Sequence, residues 1–542
     1  GTPLSEVTRQ ELWKRELHGL DAWDRLLEHA AQDKFPDDAD TFRFRYHGLF
    51  YVAPAQNSFM LRCRIPAGEL TAAQLRGLAA IATDLGNARA AVTTRSNIQI
   101  REIPPRHLVE TLTRLQALGL TSRGSGVDNV RNITASPTAG FDPQELIDTR
   151  PFAHALHHYI LNHRDLYDLP RKFNVAFEGG GAIDTVADTN DIGFMAVRVP
   201  GPNPAGVAVA DGSPTPIQPG VHFRVELCGI TGHRQLASDA GILVHPGEAV
   251  AVAAAMIRVF IAHGDRTDRK KARLKYLIDR WGVDRFLEET ARRLAFPLRR
   301  FPLHQCEPRP KPLRHGHVGV YRQSQPGRNY LGVVVPVGIL TSRQMRRIAD
   351  LAENYGSGQI RLTPWQNLLI PDIPDAFVET VKRQVVRAGL HHEATSIAGG
   401  LVACTGNQGC KWAATDTKGQ AITLARHLEK TVRLDQPLNI HLTGCPNSCA
   451  QHYVGDIGLQ GVKVASADGQ AEGYHIVLGG GTGGEPGIGR QVFTALPFSD
   501  IPHLLQHLLQ VYLQRREPGE SFASFTRRHE LGRLQELFTP NP

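Results

Sequence analysis

The sequence predicts an internally duplicated α/β (α+β) chain, on three observations: a long ungapped self-match, an alternation of strand and helix periods inside each copy, and a length too great for one core. Leu61–Gly86 recurs as Leu331–Gly356 at an offset of 270 residues, pairing Pro66 with Pro336, Gly68 with Gly338, Thr71 with Thr341 and Gly86 with Gly356. The match continues through TTRSNIQIREIP and LTPWQNLLIPDIP, where Asn97 meets Asn367 and Pro104 meets Pro374. Each copy reads strand, helix, strand. With small gaps the duplication extends further: NDIGFMAVRV from Asn190 echoes GDIGLQGVKV from Gly455, and RKFNVAF echoes PLNIHLT.

Taken in order, residues 1–50 form an N-terminal helical extension of two short helices and a connector, with apolar residues at helical spacing in LWKRELHGLDAWDRLLEHAAQD. Residues 51–115 are a ferredoxin-like half-domain, and 116–310 a larger α/β domain. Residues 311–390 repeat the half-domain, and 391–542 the larger domain. Two like halves in one chain make a pseudo-twofold unit whose central cleft can hold a cofactor.

Composition narrows the class. The chain has ordinary apolar and charged fractions, 41% and 21%. No apolar run reaches the roughly 18 residues of a membrane span. The nearest, Ala249–Gly264, contains Arg258 and predicts a buried helix. The N-terminal GTPLSEVTRQELWKREL is too polar and acidic for a signal peptide. Few cysteines, placed as ligands and not as a framework, suit a reducing compartment, and the expectation is a cytoplasmic monomer. The net charge of +8 is dispersed, without a lysine-rich tail or an aromatic-interleaved patch, so nucleic acid is not the expected partner. A basic surface instead suits an acidic partner.

Four of the seven cysteines form two close pairs: Cys404 and Cys410 in LVACTGNQGCKWAATDTKG, Cys445 and Cys449 in HLTGCPNSCAQHYVGDIG. Four thiolates around one centre mean a 4Fe–4S cluster or a structural zinc. The first pair is more widely spaced than zinc sites usually are, and both pairs lie in Gly/Asn/Thr-rich loops whose amides can approach sulfur.

CTGNQGC followed by TGCPNSC resembles the cluster signature of the sirohaem-dependent nitrite and sulfite reductases, and is most similar to the ferredoxin-dependent nitrite reductases. The resemblance covers nearly the whole chain. It implies a 4Fe–4S cluster on Cys404, Cys410, Cys445 and Cys449, with Cys449 also bridging to sirohaem, and six-electron reduction of nitrite to ammonium. It also implies that Arg95, Arg131, Lys172 and Asn174 surround the bound anion. Two guanidiniums can hold a small oxyanion, and an ammonium adds a mobile donor. Arg101, Arg123 and Arg171 are candidates for the sirohaem carboxylates, and Gln366 and Asn367 for the cofactor pocket. Sulfite reductases of this family tend to carry a second lysine where this chain has Asn174, so nitrite is the expected substrate; the alternative is a ferredoxin-dependent sulfite reductase producing sulfide. No dinucleotide fold is evident, so electrons come from a separate protein, ferredoxin or flavodoxin.

Other motifs carry less. LGGGTGGEPGIG (Leu478–Gly489) lacks the lysine and hydroxyl of a phosphate loop and reads as a loop beside the cluster, and EGGGAID from Glu178 reads as a loop too. The histidines of HALHHYILNH fall on several helix faces and read as structural. Cys63, Cys228 and Cys306 read as isolated buried thiols.

Overall fold

The computed structural model describes residues 2–53, 55–202, 205–313 and 317–541. Its central feature is an exchange of strands between the two repeats. The first half-domain sheet runs Leu49–Val52, Ser58–Arg62, Ile98–Ile103, Arg89–Val92, and then takes Ile339–Thr341 from the second copy. The second runs Gly319–Arg322, Arg328–Val333, Leu368–Pro374, Gln359–Leu362, and takes Glu69–Thr71 from the first. The two exchanged registers are equivalent: Ile339 faces Ala91, and Arg361 faces Glu69.

Local chemistry repeats with the same offset. Thr71 and Gln74 form a capping box for helix Ala72–Leu85, and Thr341 and Gln344 form one for helix Ser342–Tyr355. The turn before each exchanged strand holds a residue with positive φ, Ala67 at 60° and Val337 at 47°, followed by Gly68 and Gly338. A Cβ on Gly68 would stand 2.6 Å from the Leu362 carbonyl oxygen, and one on Gly338 would stand 2.4 Å from that of Val92. Each glycine lies against the backbone of the other copy, which only glycine allows. The two half-domains share one core, in which Leu70, Leu75, Val92 and Ile100 join Leu340, Ile348, Leu362 and Ile370.

The larger domains follow one plan. Thr134–Ala135, Val175–Glu178 and Ile192–Val199 are parallel neighbours within an eight-stranded sheet. Leu401–Ala403, Ile440–Thr443 and Ile457–Ser466 are parallel neighbours in a five-stranded one. Both then continue antiparallel. Helix Pro246–His263 is long and apolar enough to cross a membrane, but Val252, Met256, Ile257 and Phe260 are buried in the core of the first larger domain, as the sequence predicts. The N-terminal extension has a third helix, Asp38–Phe44, capped by Asp37. It ties two cores together, since Phe44 packs with the half-domains and Phe42 with the larger domain.

Candidate functional site

Both cysteine loops leave the same edge of the five-stranded sheet. Cys404 follows strand Leu401–Ala403 and Cys445 follows strand Ile440–Thr443, and these strands pair in parallel, Ala403 facing Leu442. Clefts beyond the carboxyl ends of parallel strands are where such sheets bind ligands. The loops are laced together: the Cys404 N–H donates to the Leu442 carbonyl at 3.0 Å, the Gly444 N–H to Cys404 Sγ at 3.2 Å, and the Ala414 N–H to the Gly444 carbonyl at 2.8 Å. The Thr417 hydroxyl donates to the Cys404 carbonyl at 2.8 Å and lies 3.5 Å from its sulfur. Burial, with the neighbouring charges of Cys449, Cys404 and Cys410, pushes the Cys445 thiol up to about 12. The Cys445 thiol thus lies within electrostatic reach of the other three.

Against these loops the first half supplies cations. The Thr94 hydroxyl donates to the Cys449 carbonyl at 3.3 Å, so the loop bearing Arg95 touches the second cysteine loop. Arg95 Nη1 donates to Asn190 Oδ1 at 2.6 Å and Nη2 to the Asn132 and Val175 carbonyls at 2.5 and 3.1 Å; burial lowers it to about 9. Arg131 Nη2 reaches the Val127 carbonyl at 3.0 Å, and burial followed by repulsion from Arg62 and Arg171 depresses it strongly. Lys172 falls to about 7, first through burial, then through Arg273 and Arg131, while Cys449 opposes the shift. Asn174 anchors its backbone N–H on Asp191 at 2.8 Å, and its buried side-chain oxygen has no partner. Among the described residues no carboxylate forms an ion pair with Arg62, Arg95, Arg101, Arg131, Arg171 or Lys172. The nearby Asp128 is taken by Lys14 and Arg269, and Asp191 by Arg273. Half-buried, mutually repelling cations of this kind favour an anion among them.

Segments 126–298 and 399–535 match the sequence model of the Nitrite and sulphite reductase 4Fe-4S domain, and segments 53–118 and 321–388 that of the Nitrite/Sulfite reductase ferredoxin-like half domain. The chain belongs to the nitrite and sulphite reductase family. A ferredoxin–nitrite reductase of Synechococcus elongatus is 35% identical over 517 residues, covering 93% of this chain and 96% of its own. An assimilatory ferredoxin-dependent nitrite reductase of Haloferax mediterranei is 31% identical over 550 residues, covering 95% and 91%. The NirA protein of Mycobacterium tuberculosis has a similar structure, with a TM-score of 0.88, 30% identity and 97% of each chain covered.

The four thiols fit the family's 4Fe–4S cluster. The donor set is four thiols, with Cys445 buried, Cys404 and Cys410 half-buried and Cys449 exposed, and thiolates are what iron–sulfur clusters take. Thiols that raise one another's proton affinity become a stable set once cations share them.

Other predicted residues take different places. Arg101 Nη2 donates to the Thr405 hydroxyl at 2.9 Å and Nη1 to the Gly409 carbonyl at 3.4 Å, so it grips the first cysteine loop. Gln366 exchanges two hydrogen bonds with the Ala403 backbone, at 2.9 and 3.0 Å, bracing the strand that delivers Cys404. Asn367 accepts from the Val335 N–H at 2.9 Å, and its buried amide nitrogen is unpartnered. Arg171 borders the cation set, lowered to about 10 by burial and then by Arg269. Arg123 is exposed, over the Tyr167 ring at 5.3 Å.

Sequence reasoning missed Arg62, which burial lowers to about 10 and which Cys449 supports. Its equivalent in the other copy is Gly332, so no motif marks it. His154 pairs with Glu69 at 2.9 Å and His157 is buried, in keeping with a structural helix. The Gly-rich loop from Leu478 packs on the first half: Thr482 bonds Asp184, and the Gly483 N–H reaches Asp188 at 3.3 Å. A second cleft there is lined by Asp184, Trp365 and Asn439.

Proposed function

We propose that this chain reduces nitrite to ammonium at a sirohaem coupled to the 4Fe–4S cluster, taking electrons singly from ferredoxin or flavodoxin. The observation that carries the reading is the facing of two surfaces: four cysteines on one side, and on the other a half-buried cation set with no carboxylate paired to it, meeting where Thr94 touches Cys449. The names of the relatives favour nitrite over sulfite. When bound, sirohaem and cluster supply the electrons; nitrite takes up six of them and eight protons, leaving ammonium and two waters.

The chain's own residues bind, orient and protonate. Arg62 and Arg171 would neutralise the sirohaem carboxylates, and Cys449 would serve cluster and haem together. Arg95 and Arg131 hold the anion's negative charge. Lys172 Nζ, at about 7 without an anion, is pushed back up by an anion's charge, so anion binding takes up a proton at that nitrogen and leaves it beside the substrate. The neutral Asn174 side chain suits a singly charged anion.

The test is an absorption spectrum with iron and acid-labile sulfide analysis, followed by steady-state rates on nitrite and sulfite with a chemical reductant. A colourless, sulfide-free protein would rule the reading out, as would a preference for sulfite. Cys449→Ser is expected to abolish turnover; retained activity removes its bridging role.

A further inference from the structure

We propose that Lys418 sets the reduction potential of the cluster, as a fixed, half-buried positive charge near the Cys404 ligand. The inference rests on the cluster reading above and adds a residue that touches neither substrate nor sulfur.

Lys418 is the second residue of helix Thr417–Thr431, whose cap, Asp416, accepts from the Gly419 N–H at 3.3 Å. Its neighbour Thr417 sits directly on Cys404. The half-buried Lys418 ammonium donates to the Val337 carbonyl at 2.6 Å, in the turn that starts the exchanged strand of the second half-domain.

Three local effects oppose a charge there. Burial penalises it. The partial positive charge of a helix N-terminus repels it. Arg101, on the other side of the cysteine loop, repels it as well. Among the described residues it forms no ion pair with a carboxylate, and the one negative group that supports its charge is Cys404. A lysine in such a position is offset by the thiolate, and by the cluster that the thiolate would hold.

The coupling runs both ways. A cluster that gains an electron gains one negative charge, and a cation fixed nearby in a low-dielectric setting favours the reduced form. Arg101 carries the same sign but also anchors the loop through Thr405 and Gly409, so its removal changes structure and charge together. Among the described residues the Lys418 side chain bonds only the Val337 turn, which makes it the residue whose charge can be removed alone.

The experiment is a redox titration of the cluster in the cofactor-loaded full chain, monitored by EPR, for the parent, Lys418→Met and Lys418→Arg. Lys418→Met is expected to shift the reduction equilibrium at least tenfold toward the oxidised form, about 59 mV more negative for one electron. Lys418→Arg should stay near the parent. An unchanged potential in Lys418→Met with full iron and sulfide content overturns the proposal. If Lys418→Met assembles no cluster, Lys418→Gln, which keeps a donor for Val337, carries the comparison; cluster loss in both makes the residue structural and overturns it equally. A parent chain without iron and sulfide would instead sink the cofactor reading.

Discussion

The backbone N–H of Asn174 donates to the Asp191 carboxylate at 2.8 Å, and the backbone N–H of Asn439 donates to Asp456 at the same distance. In each half the two residues stand 17 positions apart and bracket a pair of parallel strands, Val175 facing Ile192 and Ile440 facing Ile457. The bond ties together the starts of the two strands, and in the first half it also places the Asn174 side chain.

Asp191 has a second partner, Arg273, at 2.8 Å, and its side chain is 1% exposed. Asp191→Ala leaves a buried guanidinium unpaired, at a cost of about 3–5 kcal/mol. Asp191→Asn, which keeps an acceptor, should cost less. Urea unfolding of both variants checks this, and equal midpoints for Asp191→Ala and the parent would refute it.

Asn174→Lys adds a cation to a set that already holds Lys172 and Arg131. The ratio of nitrite to sulfite kcat/KM should fall by roughly tenfold, about 1.4 kcal/mol in relative barrier. Competing steady-state assays measure it; a constant ratio counts against Asn174 as the residue that selects the anion.

Trp412 lies two residues beyond Cys410 and is 67% exposed, with Lys411 Nζ 4.9 Å from its ring. An aromatic paired with a cation at the edge of the cluster loop suits an acidic carrier. Trp412→Ala should raise KM for ferredoxin several-fold and leave the rate with a small chemical reductant unchanged. A parallel fall in both rates would place the defect in the cluster instead.

Burial, then the charges of Glu178 and Asp239, raise Glu226 from the ordinary 4.5 to about 7, and its Oε2 has no partner. Between those values the folded chain keeps a proton that the unfolded chain releases, so stability falls as pH rises through the window. Glu226→Gln should therefore gain up to about 3 kcal/mol over the parent at pH 8 and nothing at pH 4. Thermal melts at both pH values decide it; a gain at pH 4 would mean that packing, not ionisation, is responsible.

Much of this architecture was legible because duplication leaves two copies to compare. Thr71 and Thr341 announce the same helix start, and the four cysteines stand in motifs whose spacing limits their chemistry. The strand exchange was not legible: Glu69–Thr71 carries a strand pattern, but a local pattern does not name its partner. Nor was Arg62, an isolated arginine in a strand, whose role comes from the fold bringing it toward Cys449. Gln366 was legible as a pocket residue only by its motif; its amide is spent on the Ala403 backbone because the adjoining strand end needs both bonds. The Gly-rich loop was read as a neighbour of the cluster; it bonds the Tyr453 and Asp456 backbone beyond Cys449 and also reaches across to Asp184 and Asp188, a second partner that loop composition does not name.

The second cleft explains what tandem fusion permits. Asp184 follows Asn174 by the same number of residues as Cys449 follows Asn439, and Trp365 stands where the repeat offset carries Arg95. Asp184, Trp365 and Asn439 are therefore the mirror partners of Cys449, Arg95 and Asn174, gathered around a hollow of their own. In a symmetric pair of identical subunits, one mutation would spoil both chambers at once. Joined head to tail, with strands traded so that neither half can leave, the molecule can let one chamber drift to aromatic and acid while the other keeps its sulfur and its arginines.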